Sequence, residues 1–283
     1  MSALVEVEDL SVTFDTPAGP VAAVAGVSFR LGRERLGIVG ESGSGKTQTG
    51  RALMGLVRPP GRVTARRLRL AGLDLLALSP RGWPSVRGRR IAMVMQDPRF
   101  CLDPVMSVGR QIEETVRIHG GGRRQARERA MDLLAAVRIR DPARVHRAYP
   151  HELSGGMGQR AMIAVMLAAD PEVLIADEAT SALDAHVQNE VLAVLDDLVA
   201  ARGMGLVMIS HDIDMVAGFC DRVLVMSEGR VVETLPAGGL AAADHPYTRA
   251  LIAATPRLAP AGIGPAGHAA VAGSPRAISE NSP

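Results

Sequence analysis

Three glycines, two serines, a lysine and a threonine crowd into Gly40-Glu41-Ser42-Gly43-Ser44-Gly45-Lys46-Thr47, directly after the apolar run Leu36-Gly37-Ile38-Val39. The spacing reads as a phosphate-binding loop between a buried strand and a helix that begins near Gly45. Glycines let successive backbone N–H groups turn inward, Lys46 supplies a point charge for the outer phosphates, and the Thr47 hydroxyl suits Mg²⁺. The positive end of the helix dipole adds to the same place. At average composition such a pattern arises by chance in about one chain in a hundred of this length, which leaves a Gly/Ser-rich surface loop as a weak rival. Lys46 is also the only lysine among the 32 lysines and arginines of the chain. Where every other cation is arginine, the survivor marks a place that needs a flexible ammonium rather than a planar guanidinium.

A length of 283 residues suits one large domain, or one with a lobe inserted. The 47% hydrophobic content is that of a globular chain, and the longest apolar run, near 161–169, is too short to span a bilayer. Glu6, Glu8 and Asp9 stand where a signal peptide needs an apolar stretch, so the chain is expected to stay in the cytoplasm. Cys101 and Cys220 lack C-x-x-C spacing and suggest neither a disulfide framework nor a cysteine metal site. A net charge of +2 gives no argument for nucleic acid as a partner. The arginines between 58 and 147 read as a solvated face or as a surface near anionic head groups.

Residues 4–14 and 21–31 alternate apolar and polar, as an antiparallel strand pair does, around a Pro-Gly turn. Phe14 sits where a loop brings a ring near a nucleotide base, with core packing as the alternative. The helix after the phosphate loop is expected to run to 56 and stop before Pro59-Pro60-Gly61, and 63–70 reads as one strand. A buried strand at 89–95 delivers Gln96 to its carboxyl end, where ligands bind in folds of this type; a surface glutamine is the plain alternative. From 107 to 137 the period changes to that of helices. Ser154 then caps a helix running to 169, with Gly155 and Gly156 leaving backbone N–H groups open to an anion.

The run Val173-Leu174-Ile175-Ala176 reads as a buried parallel strand ending in Asp177-Glu178. Asp177 is placed to hold Mg²⁺ through water, while Glu178 points the other way along the pleat and orients a water for attack on phosphate. A helix at 187–201 precedes a strand at 206–210 that ends at His211, which beside a phosphate site stabilises transferring charge. Strands at 222–226 and 231–235 and a helix at 246–254 close the ordered part. Residues 259–283, rich in Ala, Gly and Pro, are expected to form a disordered tail.

Taken in order, the phosphate loop, Gln96, Leu153-Ser154-Gly155-Gly156, Asp177-Glu178, Ser181-Ala182-Leu183-Asp184 and His211 resemble the ATP-binding subunit of an ATP-binding-cassette (ABC) transporter over 4–258. The resemblance implies an α/β fold: a P-loop NTPase core with an antiparallel β subdomain and a helical subdomain inserted at about 98–169. It assigns ATP and Mg²⁺ as cofactors, adenine stacking to Phe14, phosphates to Gly40, Glu41, Ser42, Gly43, Ser44, Gly45 and Lys46, and nucleotide contact also to Gln48. It gives Mg²⁺ to Thr47, Gln96 and, through water, Asp177, the general base to Glu178 and the γ-phosphate contact to His211. Ser154, Gly155 and Gly156 would serve the ATP bound mainly by a second, non-identical ATPase subunit.

Leu102-Asp103-Pro104-Val105-Met106-Ser107-Val108-Gly109, Tyr149-Pro150-His151-Glu152-Leu153 and His245-Pro246-Tyr247-Thr248-Arg249 are similar to the dipeptide, oligopeptide and nickel importer branch. That branch implies two transmembrane permease subunits, an extracytoplasmic binding protein, and a place at the cytoplasmic face of the membrane. Many of its peptide-type members carry a cysteine-rich segment after the His-Pro-Tyr stretch; none is present here, so no iron–sulfur cluster is expected. Gly158 and Ala179 depart from the commoner larger polar residue and proline at those positions. A soluble ABC ATPase acting on ribosomes or DNA is the rival reading. It is opposed by the single cassette and by the lack of sustained heptads between Lys46 and Ser154. A catalytically dead subunit is opposed by the presence of Glu178 and His211.

Overall fold

In the computed structural model, which describes residues 3–254 apart from residue 182, the chain opens with β1 (Val5–Thr16) and β2 (Gly19–Leu31), paired antiparallel. The tail expected at 259–283 lies outside the described residues. Along β1 the buried side chains fall at Val5 and Val7, then at Leu10 and Val12, so the alternation slips by one. Asp9 absorbs the slip at φ 57°, its N–H donating to Ser28 Oγ at 2.9 Å, and this bulge keeps both apolar pairs on one face.

β3 (Arg35–Val39) leads into α1 (Lys46–Leu53). The helix stops earlier than expected. Gly55 turns the chain at φ 59° and closes the helix, with Leu56 N–H donating back to Arg51 O at 2.9 Å, so the expected end at 56 is corrected to 53; a side chain at Gly55 would overlap the ring of Trp83. The expected strand at 63–70 is two strands, β4 (Gly61–Thr64) and β5 (Arg67–Leu70). β4 pairs with 11–14 of β1 and β5 with 5–8, so the break faces the Asp9 bulge. β6 (Leu73–Asp74) adds a short edge to this antiparallel sheet.

β7 (Ile91–Val94) joins β3 in a second sheet, at its edge, and four α-helices follow before the next strand: α2 (Val108–Ile118), α3 (Arg123–Ala136), α4 (Pro142–Arg147) and α5 (Gly155–Met166). The glycine-rich turn at 119–122 separates α2 from α3. α5 ends at Met166, short of the expected 169. β8 (Val173–Asp177), α6 (Ala185–Arg202), β9 (Gly205–Ser210), α7 (Ile213–Phe219), β10 (Arg222–Ser227), β11 (Arg230–Pro236) and α8 (Pro246–Ala254) complete the order. No helix among the described residues is long and apolar enough to cross a membrane.

The central sheet runs β11-β10-β3-β9-β8-β7, with every pair parallel except β10 and β11. The five parallel strands, β10, β3, β9, β8 and β7, bury both faces, which explains their continuous apolar runs. Leu36, Ile38, Ile175 and Ile209 pack toward α1 and the antiparallel sheet, while Val39, Leu174, Ala176 and Met208 pack toward the helical side. The order also lines up, on one carboxyl edge, the segments after β3, β9, β8 and β7. These carry the phosphate loop, His211, Asp177-Glu178 and Gln96, the edge where ligands bind in open parallel sheets.

Gly37, in the middle of β3, lets α7 lie directly on the sheet, since a methyl there would overlap Val216 Cγ1. Gly37→Ala is therefore expected to lower stability by about 1–3 kcal/mol, the usual cost of overpacking. Denaturant unfolding of the full chain measures it, and an unchanged midpoint would show that α7 yields freely.

Candidate functional site

The phosphate loop is wedged between two walls. A side chain at Gly40 would overlap Met226 O at the end of β10, and one at Gly45, at φ 101°, would overlap Ala23 O of β2. Gly229, in the β10–β11 turn, donates its N–H to Ser44 O at 3.1 Å. Within this frame Lys46 is only 7% exposed, and its Nζ donates to Gly40 O at 2.7 Å and Glu41 O at 2.8 Å. Burial lowers the Lys46 pKa, against the raising influence of the Glu178, Asp177 and Glu41 carboxylates. An ammonium sequestered with backbone oxygens and facing a cavity is a ready partner for a polyanion.

Asp177, the last residue of β8, is buried and accepts a hydrogen bond from Thr47 Oγ1 at 3.0 Å. Burial raises its pKa; the Thr47 bond opposes this, and the Glu178 carboxylate adds to it. Glu178 does not continue the pleat as expected. It turns to φ 52°, with its N–H donating to Ile209 O at 2.9 Å and its carbonyl accepting from Ser181 N–H and Oγ. The left-handed turn, rather than strand alternation, separates the two acids. A non-glycine residue held there is strained, and such strain gathers at functional positions. The Glu178 carboxylate meets His211 Nδ1 at 2.9 Å through both oxygens.

A cavity of about 1160 Å³ opens over these groups. Gly40, Glu41, Ser42, Gly43, Gly45, Lys46, Thr47, Gln48, Gln96, Glu178 and His211 line it, so strands far apart in sequence bring most of the expected residues to one place. Ser44 is buried in the loop, and Asp177 lies beneath Thr47. The oxygen-rich set of the Thr47 hydroxyl, whose lone pairs remain open while its proton serves Asp177, and the Gln96 carboxamide suits a hard cation such as Mg²⁺.

Besides Ser44 and Asp177, which lie just beneath its lining, four expected residues stand away from this cavity. Phe14 is half-buried on β1, packed beside Gly61 and Val57 at the rim of the antiparallel sheet. Ser154 and Gly155 are exposed at the start of α5, where Ser154 Oγ accepts from Met157 N–H at 3.4 Å, and Gly156 packs against Val187. Gly158, one of the two departures, lies where a methyl would come 3.3 Å from Pro98 Cγ, so a small residue lets α5 close on the segment after Gln96. Ala179 is buried directly after Glu178.

The cavity also has walls that sequence reasoning missed. Ala23, Asp212, Leu251 and Ala254 line it, and Glu41 N–H donates to the Tyr247 hydroxyl at 3.0 Å. Asp212 was legible as a helix cap before the apolar spacing Ile213, Val216, Phe219, and it accepts from Met215 N–H at 2.9 Å. No periodicity links α8 to a loop two hundred residues earlier.

Residues 24–181 match the family model described as ABC transporter. The dipeptide transport ATP-binding protein DppD of Escherichia coli (strain K12) is 45% identical over 260 residues, 91% of this chain and 80% of that protein. A putative peptide import ATP-binding protein of Brucella melitensis is 46% identical over 258 residues, 90% of this chain and 78% of that protein. Among solved structures, cbiO1 from Clostridium perfringens, described as part of the ABC transporter complex cbiONQ, matches with a TM-score of 0.74 at 26% identity, covering 86% of this chain and 92% of that one. A bacterial ABC transporter cassette, solved as a dimer and in a post-hydrolysis state bound to ADP and Pi, matches at 0.73 and 25% identity, covering 82% and 98%.

Proposed function

Because the chain belongs to the ABC transporter family as an ATP-hydrolysing subunit, we propose that it energises the import of di- or oligopeptides, working against the cytoplasmic face of the membrane. The observation that carries the catalytic part is the meeting of Lys46 and its loop with the Glu178–His211 pair in one cavity. The N–H groups of the loop and Lys46 bind the phosphates, and Thr47 and Gln96 would hold Mg²⁺, with Asp177 acting through water. When bound, the ion offsets phosphate charge. Glu178 takes the proton of the attacking water, and His211, hydrogen-bonded to that carboxylate, orients it and faces the terminal phosphate. The base is proposed to stack on Phe14 on the strength of the family resemblance, since its ring packs beside Gly61 and Val57 outside the cavity lining.

Peptide cargo is supported by the similarity to two proteins named for peptide transport. In cells lacking this chain, uptake of a labelled dipeptide is expected to stop while nickel uptake continues. The reverse outcome would place the chain with the nickel importers instead. The partners proposed are a second, non-identical cassette, two permeases and, through them, an extracytoplasmic binding protein.

The exposed Ser154 and Gly155, away from the chain's own cavity, support a composite site in which each cassette completes the other's. The purified chain alone is therefore expected to bind ATP but hydrolyse it poorly, with turnover rising on assembly. A monomer as fast as the assembled complex would refute the composite site.

A further inference from the structure

The stretch His245-Pro246-Tyr247-Thr248-Arg249 has no part in the mechanism above, yet it starts the helix that walls the nucleotide cavity. Glu233 of β11 accepts from Asp244 N–H at 2.8 Å and His245 N–H at 3.3 Å, and His245 Nδ1 accepts from Tyr247 N–H at 3.2 Å. Thr248 is fully buried, which seats the first turn of α8. Tyr247, half-buried, is thereby aimed at the phosphate loop, where its hydroxyl receives Glu41 N–H at 3.0 Å.

Glu41 is the residue on which the loop's internal bonds converge. Its carbonyl accepts both Lys46 Nζ at 2.8 Å and Ser44 N–H at 3.2 Å. Once phosphates draw Lys46 away, the loop loses its two bonds from Nζ to Gly40 O and Glu41 O. What then still ties it to the surrounding fold is Thr47 Oγ1 on Asp177 and Gly229 N–H on Ser44 O towards the helix end, and at the strand end the Tyr247 hydroxyl. Glu41 is exposed, so water can replace the hydroxyl at little cost to the fold, but water cannot fix the position of the peptide.

We propose that Tyr247 is a positioning residue of the ATP site: it holds the Glu41 peptide so that the loop keeps its phosphate-binding shape when Lys46 turns to the nucleotide. The inference rests on the loop binding ATP, and the wild-type chain tests that separately. The full chain and its Tyr247→Phe variant are titrated with a fluorescent ATP analogue, the analogue is competed with inorganic tripolyphosphate, and both apo proteins are melted. Tyr247→Phe is expected to bind ATP and tripolyphosphate more weakly by the same factor, about threefold to tenfold, as loss of one preorganising hydrogen bond gives. Its melting temperature should match the wild type. Undiminished ATP affinity would overturn the proposal; so would weakened ATP binding with unchanged tripolyphosphate binding, because the effect would lie at the base. A melting temperature falling together with affinity would make the role merely structural. A wild-type chain that fails to bind the analogue would defeat the ATP reading itself.

Discussion

Glu178→Gln is expected to bind ATP as the wild type does and to turn it over at least about a hundredfold more slowly in the assembled transporter. The substitution exchanges one carboxylate oxygen for an amide nitrogen and leaves the shape of the site unchanged. The backbone at Glu178 is held by bonds that do not involve the side chain, from its N–H to Ile209 O and from Ser181 to its carbonyl, so the left-handed turn persists. The amide still reaches His211, whose Nδ1 lies 2.9 Å from both carboxylate oxygens. What is lost is the capacity to take a proton from water. Binding depends on Lys46 and the loop after β3, separated from β8 by β9, and is untouched. Equilibrium binding of ATP alongside steady-state hydrolysis separates the two quantities. Near-normal turnover would mean that another group acts as base, and lost binding would mean that Glu178 holds the nucleotide.

The strands of the central sheet were legible because a parallel strand buried on both faces leaves an uninterrupted apolar run, as at Leu36-Gly37-Ile38-Val39 and Val173-Leu174-Ile175-Ala176. Polar residues follow these runs, directly at Gln96, Asp177, Glu178 and His211 and across the glycine-rich loop at Lys46, so all five could be singled out before their adjacency was known. Their adjacency was not legible as geometry. It depends on β9 inserting between β3 and β8, a long-range pairing that no local pattern encodes. The split of the expected strand at 63–70 had a trace in the sequence, in the slip of alternation between Val7 and Leu10, but its effect appears only when the bent strand meets its partner. The early end of α1 had a trace too, in Gly55 just past it, where a left-handed glycine closes the helix. α7 was passed over at seven residues despite its aspartate cap and three buried apolar positions.

Lys46→Arg is expected to lower ATP affinity or turnover by at least about tenfold, roughly 1.4 kcal/mol, even though arginine serves at every other basic position of the chain. The structure supplies the reason. Lys46 is 7% exposed, and its Nζ lies 2.7 Å from Gly40 O and 2.8 Å from Glu41 O, at the end of a thin aliphatic stem. The space around it cannot widen: Gly40 is pressed against Met226 O, Gly45 against Ala23 O, and Ser44 O is bonded to Gly229 N–H. A guanidinium is broader, planar and fixed in its donor directions, so it cannot donate to two converging carbonyls and then rotate toward phosphates within the same enclosure. Either the loop is forced open, which breaks the ring of N–H donors, or the side chain is expelled into the cavity, where it occupies the volume the phosphates need. Burial also lowers the pKa of Lys46, a cost that neighbouring carboxylates offset, and a displaced guanidinium would leave Asp177 and Glu178 without that compensation. Titration with a fluorescent ATP analogue, together with hydrolysis by the assembled transporter, decides the matter. Wild-type values in both would show that the enclosure accepts either cation and that the lone lysine is an accident of composition.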